Sequence, residues 1–231
     1  LVELCKQASD QVEVIPAHAW TPWFGVFGSN SGFNSLKEAF EDQAKNVFAI
    51  ETGLSSDPAM NWRLSALDRI ACISNSDSHS YSSYRIGREC NAFELGENFG
   101  YGDLINAIRK KDKEKFKFTI EVDPAYGKYH YDGHRNCGVS LAPKETKKLN
   151  GLCPKCGRKL TIGVEYRVEE LADREEGFVP ENAIPFKRIL PLQELIAASM
   201  GVMVTSKKAW LESEKLIQKF GSELKVLLET G

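Results

Sequence analysis

His134-x2-Cys137 and, fifteen residues later, Cys153-Pro154-Lys155-Cys156-Gly157 bring one imidazole and three thiols together in two close pairs. Ligands of this softness and spacing suit tetrahedral Zn²⁺, and a bound ion folds a short loop-rich segment that has no core of its own. The glycine after the second thiolate lets the backbone wrap tightly and aim its amides at the sulfurs. Redox chemistry is the rival use of CxxC, but a redox pair opens a helix after a strand. Here Pro154, Gly157 and the strand-like run Lys159–Ile162 point to a structural ribbon instead. His130 also precedes Cys137 within reach. Because His-x2-Cys mirrors Cys-x2-Cys, His134 is chosen as the fourth ligand, and His130 or Asp132 is left to orient it from outside.

A second set of candidate ligands lies earlier in the chain. His18 follows an apolar run (Val12–Ala17), Glu51 ends a second (Val47–Ile50), and Asp77 and His79 follow a third (Ile70–Ser74). Imidazoles with carboxylates hold Zn²⁺, Mn²⁺, Fe²⁺ or Mg²⁺ at hydrolytic centres. A lone histidine after a strand is more often a hydrogen-bonded structural residue, but four such residues at successive strand ends favour a metal site. Glu51 either binds the metal or orients a ligand from behind it. Asp77 is the best candidate for an indispensable group, since a carboxylate beside bound water both holds a metal and accepts a proton.

The elements that must position these residues follow from periodicity. The three apolar runs read as buried parallel strands, and Leu36–Asn46 and Ala59–Arg69 between them carry helical spacing. The order is βαβαβ, so the polar residues collect on the face where the C-terminal strand ends of an α/β barrel converge. Close to that face stand the candidate substrate contacts Trp20, Trp23, Phe24, Ser55, Arg85 and Arg88. Core packing is the alternative for the aromatics. Ser55 or Asp57 caps the helix beginning near Pro58, and Arg85 and Arg88 either touch a phosphate backbone or pair with Glu89 or Glu94. The glycine- and serine-rich run from Gly25 to Gly32 lacks a Walker or dinucleotide pattern and signals phosphate binding only weakly.

With 231 residues the chain has room for more than one domain, and its net charge of −2 hides a strong asymmetry. Between Tyr126 and Leu160 eight basic residues face only Asp132 and Glu145, interleaved with Tyr126, Tyr129 and Tyr131. That pattern suits nucleic-acid phosphates with stacked bases. Arg109–Lys117 (RKKDKEKFK) is either another such surface or an ordinary solvated face. Cys5, Cys72 and Cys90 sit among apolar neighbours and read as core thiols of a protein in the reducing cytoplasm. No apolar run reaches membrane-spanning length. Pro180, Pro185 and Pro191 mark an irregular connection, after which Leu192–Met200 and Lys207–Leu228 read as helices. The expected division is an α/β part over 1–118, a zinc-binding part over 119–165 and a helical part over 166–231.

Ser76-Asp77-Ser78-His79 after its strand, Ile15-Pro16-Ala17-His18 and Ala49–Ser55 resemble successive motifs of the PHP metal-dependent phosphoesterases. The resemblance narrows at Ala17–Phe24, Gly127–Gly138, Cys153–Gly157 and Arg167–Arg174, which are similar to the endonuclease Q family. It implies a distorted (β/α)7 PHP barrel, a zinc-binding insert and a helical C-terminal domain. It also implies a DNA endonuclease that cuts 5′ to deaminated bases (hypoxanthine, uracil, xanthine) or abasic sites, with catalytic divalent metals beside a structural zinc. The first two PHP motifs would lie upstream of Leu1, so this chain is expected to be the C-terminal part of a longer protein, holding only part of the metal cluster. Two other functions stay open: a PHP-type phosphoesterase for small molecules or DNA ends, and a non-catalytic zinc-ribbon module that binds nucleic acid.

Overall fold

The computed structural model describes residues 1–229 and is a mixed α/β structure with a small two-stranded module and a helical C-terminus. Helix α1 (Val2–Ala8) leads into an extended segment, followed by α2 (Leu36–Phe40), strand β1 (Ala49–Glu51), α3 (Pro58–Asn61) and β2 (Ala71–Ile73). Next come β3 (Cys90–Phe93), α4 (Tyr101–Lys110), β4 (Phe116–Glu121), the hairpin strands β5 (Asp132–His134) and β6 (Val139–Leu141), and α5 (Pro143–Lys148). Helix α6 (Val164–Leu171), strand β7 (Phe186–Arg188) and helices α7 (Leu192–Met200), α8 (Lys207–Phe220) and α9 (Glu223–Glu229) complete the order.

Strands β1 and β2 pair in parallel, as the apolar runs require. The first expected strand differs. Residues 12–16 have no regular structure and Ala17 begins a turn, though Pro16 O accepts the Glu51 amide at 2.9 Å, which lays the segment beside the end of β1. On the other side, Asn91 of β3 takes the place of a strand partner for Ser74: its side chain accepts from Ser74 N at 2.9 Å and donates to Ser74 O at 2.7 Å. Strand β3 is antiparallel to β4, and β4 is parallel to β7. Together the segments form one hydrogen-bonded arc, from residue 16 through β1, β2, β3 and β4 to β7.

Both expected helices between the strands are shorter than their periodicity. The first is α2 followed by a 3-10 segment, Glu41–Asn46, because Glu41 at φ 52 breaks the helix. The second is α3, which starts on Asp57: its carboxylate accepts the Met60 amide at 3.0 Å, with Pro58 at the first helical position. Asn61 then turns its side chain back onto Asp57 O at 2.8 Å, and the chain continues as a 3-10 turn, Ser65–Leu67. Capping therefore falls to Asp57, and Ser55 is buried.

The main core joins Trp20, Phe27, Val47 and Ile50 to Val164 and Val168 of α6; a second core joins Ala71 and Ile73 to Ile105, Ile108 and Phe116. The lysine-rich run beside β4 is an ordinary ionic face: Arg109 pairs with Glu13, Lys117 with Glu94, and Lys113 reaches Glu181 O. Helix α7 matches its expected span. The long helix expected over Lys207–Leu228 is instead α8 and α9, separated at Gly221, whose φ of 94° ends α8 in a left-handed turn. No helix among the described residues is long and apolar enough to cross a membrane.

Candidate metal centres and DNA-facing cleft

Antiparallel strands β5 and β6 hold the first ligand pair at their turn, His134 ending β5 and Cys137 preceding Gly138. The second pair sits in a turn closed by the bridge between Leu152 and Lys159. Each pair is followed by a glycine in the left-handed region, Gly138 at φ 59° and Gly157 at φ 71°, so the two halves fold back in the same way. Ligand atoms of His134, Cys137, Cys153 and Cys156 lie within 4.8 Å of one another. Burial pushes the Cys153 thiol up, but the amides of Lys155 and Cys156 aimed at it outweigh that and bring it down to about 7. Beside the Cys156 thiol and partly desolvated, Cys137 is pushed up to about 11. Three thiols and one imidazole around a common point, with amides already directed at a sulfur, fit a structural Zn²⁺. His130 is not part of this group. It is buried at the joint with the α/β part, its Nδ1 3.1 Å from Ser55 O and its Nε2 3.9 Å from Glu165. Asp132 is engaged elsewhere and accepts the Gly163 amide at 2.6 Å.

The four strand-end candidates occupy neighbouring positions along the arc. Glu51 is buried; its Oε2 accepts the His18 amide at 2.7 Å and its Oε1 accepts from Asn75 Nδ2 at 2.9 Å. It thus fastens the His18 loop to the loop leading to Asp77. The His18 ring is oriented by Thr21, whose Oγ1 lies 3.0 Å from Nδ1, which leaves Nε2 outside this contact. Asp77 Oδ1 lies 3.8 Å from His79 Nδ1, and both side chains are exposed. Among the described residues the zinc cluster is the one set of three or more such side chains gathered closely enough to hold an ion. The strand-end residues alone do not close around a common point.

Backbone strain marks the same two loops. His18 at φ 31° and Asp77 at φ 43° are two of the five described non-glycine residues with positive φ, a conformation held only where the surroundings enforce it. Gly53 shows how His18 is enforced: a Cβ there would stand 2.9 Å from His18 Cβ, so only glycine lets the two loops close.

Of the candidate substrate contacts, Trp20 is 1% exposed, packs on Phe27 and donates to Asn61 Oδ1 at 2.7 Å. It is part of the core. Trp23, by contrast, is 50% exposed and meets Tyr129 edge-on, with ring centroids 5.7 Å apart. Both rings line a cleft of about 380 Å³, together with Lys128, Tyr131, Arg135 and Gly163 among others. Lys128 lies over the Tyr129 ring at 5.1 Å. Ser55 lies behind the cleft, pressed against Gly127, where a Cβ would fall 2.2 Å from its hydroxyl. Arg88 donates twice to Ser76 O, at 3.1 and 2.9 Å, and so braces the Asp77 loop rather than pairing with Glu89 or Glu94. Arg85 is exposed beside the Tyr84 ring.

Sequence reasoning missed the polar groups that brace these loops: the side chains of Asn75 and Asn91, and the buried acids Glu89 and Glu121. The available signal was a glutamate between two apolar residues in Thr119-Ile120-Glu121-Val122, an inward position for an acid.

Residues 191–231 match the family model described as the MJ0043 C-terminal domain. The chain is 34% identical to MJ0043 of Methanocaldococcus jannaschii over 212 residues, covering 91% of this chain and 26% of that protein. It is 31% identical to YqxK of Bacillus subtilis over 218 residues, 94% of this chain and 50% of the relative. In three dimensions it matches the lesion-specific endonuclease of Pyrococcus furiosus, PfuEndoQ, with a TM-score of 0.85 and 33% identity over 99% of this chain and 55% of that one. It matches equally, at TM-score 0.85 and 33% identity over 98% and 56% of the two chains, a structure of endonuclease Q with a 27-mer duplex bearing an abasic lesion at its active site. The resemblance read from the residues is borne out, and the chain spans a quarter to a half of the curated relatives it matches.

Proposed function

We propose that this chain, a relative of endonuclease Q in sequence and fold, carries part of the cutting and lesion-binding apparatus of a metal-dependent DNA endonuclease that hydrolyses the phosphodiester 5′ to a deaminated base or abasic site. The observation that supports it most is the combination of two strained loops, at His18 and Asp77, with a basic, aromatic cleft whose wall at Pro22 and Trp23 continues directly from the His18 loop. In this reading the arc of strands belongs to a PHP-type barrel built mainly from residues 1–118 and joined from later in the chain by β7, while residues 119–165 carry the zinc-binding part and the helices from Leu192 onward the helical part.

His18, Asp77 and His79 would hold divalent metal, with Glu51 bracing the loops behind them. Bound metal supplies a hydroxide at neutral pH and a positive clamp on the phosphoryl oxygens. The chain's own groups do the rest. Thr21 fixes the His18 ring, Arg88 fixes the Asp77 loop through Ser76, and the Asp77 carboxylate takes a proton from the attacking water. Trp23 and Tyr129 stack an extruded nucleotide, whose removal from the duplex costs least where pairing is already lost. Lys128 and Arg135, at the mouth of the same cleft, neutralise flanking phosphates.

A nicking experiment tests this on end-labelled duplex DNA with one hypoxanthine, in Mn²⁺ or Mg²⁺. The chain would be compared with a version carrying an N-terminal extension that supplies the first two PHP motifs. The extended protein is expected to cut 5′ to the lesion, and Asp77→Ala to abolish the cut while DNA binding persists. Failure to cut hypoxanthine, uracil and abasic duplexes alike would sink the proposal. Separately, Lys128→Ala and Arg135→Ala should each lower the slope of log affinity against log salt by about 1. An unchanged slope in both would remove the zinc-side cleft from the DNA interface.

A further inference from the structure

Glu121, the last residue of β4, is 0% exposed and enters none of the ion pairs among the described residues. Its Oε1 accepts from Thr119 Oγ1 at 2.7 Å, while its Oε2 lies 3.0 Å from Thr52 Oγ1 and 3.1 Å from Ser74 Oγ. Both of those hydroxyls also reach a main-chain carbonyl, Thr52 that of Ile73 at 3.1 Å and Ser74 that of Ile120 at 2.7 Å. A hydroxyl has one proton to give. If Glu121 were ionised, the two hydroxyls could place protons in only two of these four contacts. A proton on Oε2, donated to one hydroxyl, fills a third. The neutral acid is therefore the form that this dry pocket matches.

The groups nearby agree. Burial pushes Glu121 up to about 8, outweighing the hydrogen bonds from Thr119, Thr52 and Ser74 that pull it down, with Asp57 adding to the rise, and Glu89, buried behind the same strand, is also pushed up to about 8 by burial. Asp57 is held by Arg188. The two residues that Glu121 grips are placed to matter. Thr52 follows Glu51, and Ser74 precedes Asn75, which donates to Glu51, and the strained Asp77 loop.

We infer that Glu121 is a protonated positioning residue, a neutral hydrogen-bonding hub that ties the end of β1 to the end of β2 and so holds the Glu51 and Asp77 loops in register for divalent metal. The inference rests on the metal-site reading above and extends it to a residue that touches neither metal nor DNA.

The test is Mn²⁺ binding to the N-terminally extended protein that supplies the first two PHP motifs, taken as the parent and followed by the loss of free-ion electron paramagnetic resonance signal, with zinc content and thermal unfolding recorded on the same samples. Asp77→Asn should abolish the Mn²⁺ site. Glu121→Gln keeps a donor and an acceptor without a charge and should bind Mn²⁺ within about threefold of the parent, whereas Glu121→Ala should weaken binding by about 10–100-fold, the usual range for an outer-shell partner. The protonated-carboxyl infrared absorption at neutral pH, to which Glu89 also contributes, should lose one component in Glu121→Gln and keep the other. Should Glu121→Gln lose as much affinity as Glu121→Ala while still melting cooperatively, the charge is what counts and the neutral hub is wrong. Parental affinity in a folded Glu121→Ala would overturn the positioning role. If the parent binds no more Mn²⁺ than Asp77→Asn, the metal reading fails and the positioning role with it, and the infrared band then reports separately whether Glu121 carries its proton.

Discussion

Stripping the zinc, by chelation or by Cys153→Ser, is expected to unfold the module around β5 and β6 while leaving the α/β part folded. The module has two strands of three residues each, joined to the rest of its own loops by single bridges at Gly133–Thr161 and Leu152–Lys159. Among its apolar side chains Leu160 is buried while Tyr131 and Leu152 are exposed, so there is little area to offset the entropy of ordering it. Zinc in comparable sites contributes about 10–16 kcal/mol of apparent binding energy near neutral pH, and that energy is folding energy. The α/β part has its own core, to which Val164 and Val168 belong. Hydrogen exchange should therefore show amides of residues 131–161 losing protection on zinc removal while β1, β2 and β4 keep theirs. Because Tyr129, Tyr131 and Arg135 line the cleft, DNA affinity should fall in parallel. Full zinc content in Cys153→Ser, or unchanged protection after chelation, would rule out the structural zinc.

Stability should fall as pH rises from about 4.5 to about 8, the reverse of the usual acid-labile behaviour. Desolvation raises Glu89 and Glu121 from 4.5 to about 8, so across that window both stay protonated in the folded protein while the unfolded chain releases the protons. Their contribution is complete below pH 4.5 and is lost as pH passes through about 8. At one proton each, the slope is about 2.7 kcal/mol per pH unit for the pair at its steepest. Asp68, lowered chiefly by its hydrogen bond from Arg174, and Asp173, lowered by those from Ser65, act in the opposite sense. What they contribute is present above pH 3.8 and fades below it. Urea unfolding between pH 5.5 and 8, where zinc stays bound, should show the midpoint dropping steadily. A Glu89→Gln, Glu121→Gln double variant should flatten that decline. A midpoint that rises over the same range, or an equally steep fall in the double variant, would show that neither acid retains its proton.

The zinc centre was legible in the sequence because its ligands are local: two x2 spacings and two glycines dictate the turns, and the metal chemistry dictates the residue types. The choice of His134 over His130 followed from spacing alone, and the fold agrees by burying His130 against Ser55. The parallel pairing of β1 and β2 and the whole of α7 were equally readable from apolar patterning. Local pattern failed where a neighbour distant in sequence decided the outcome. Residues 12–17 have strand composition but their main-chain bond to β1 falls at its Glu51 end and forms no ladder, and Leu36–Asn46 has helical spacing that Glu41 interrupts. Whether Trp20 or Trp23 would reach solvent was invisible in a run where both are aromatic; packing on Phe27 and the hydrogen bond to Asn61 took Trp20 inward. The same holds for Glu121. By itself the sequence determined which atoms are available to bind metal and phosphate. Tertiary structure alone decided which carboxylates lie out of water, because burial and the hydroxyls of Thr52, Ser74 and Thr119 come from segments far apart in the chain, and it is those surroundings that set where a proton rests.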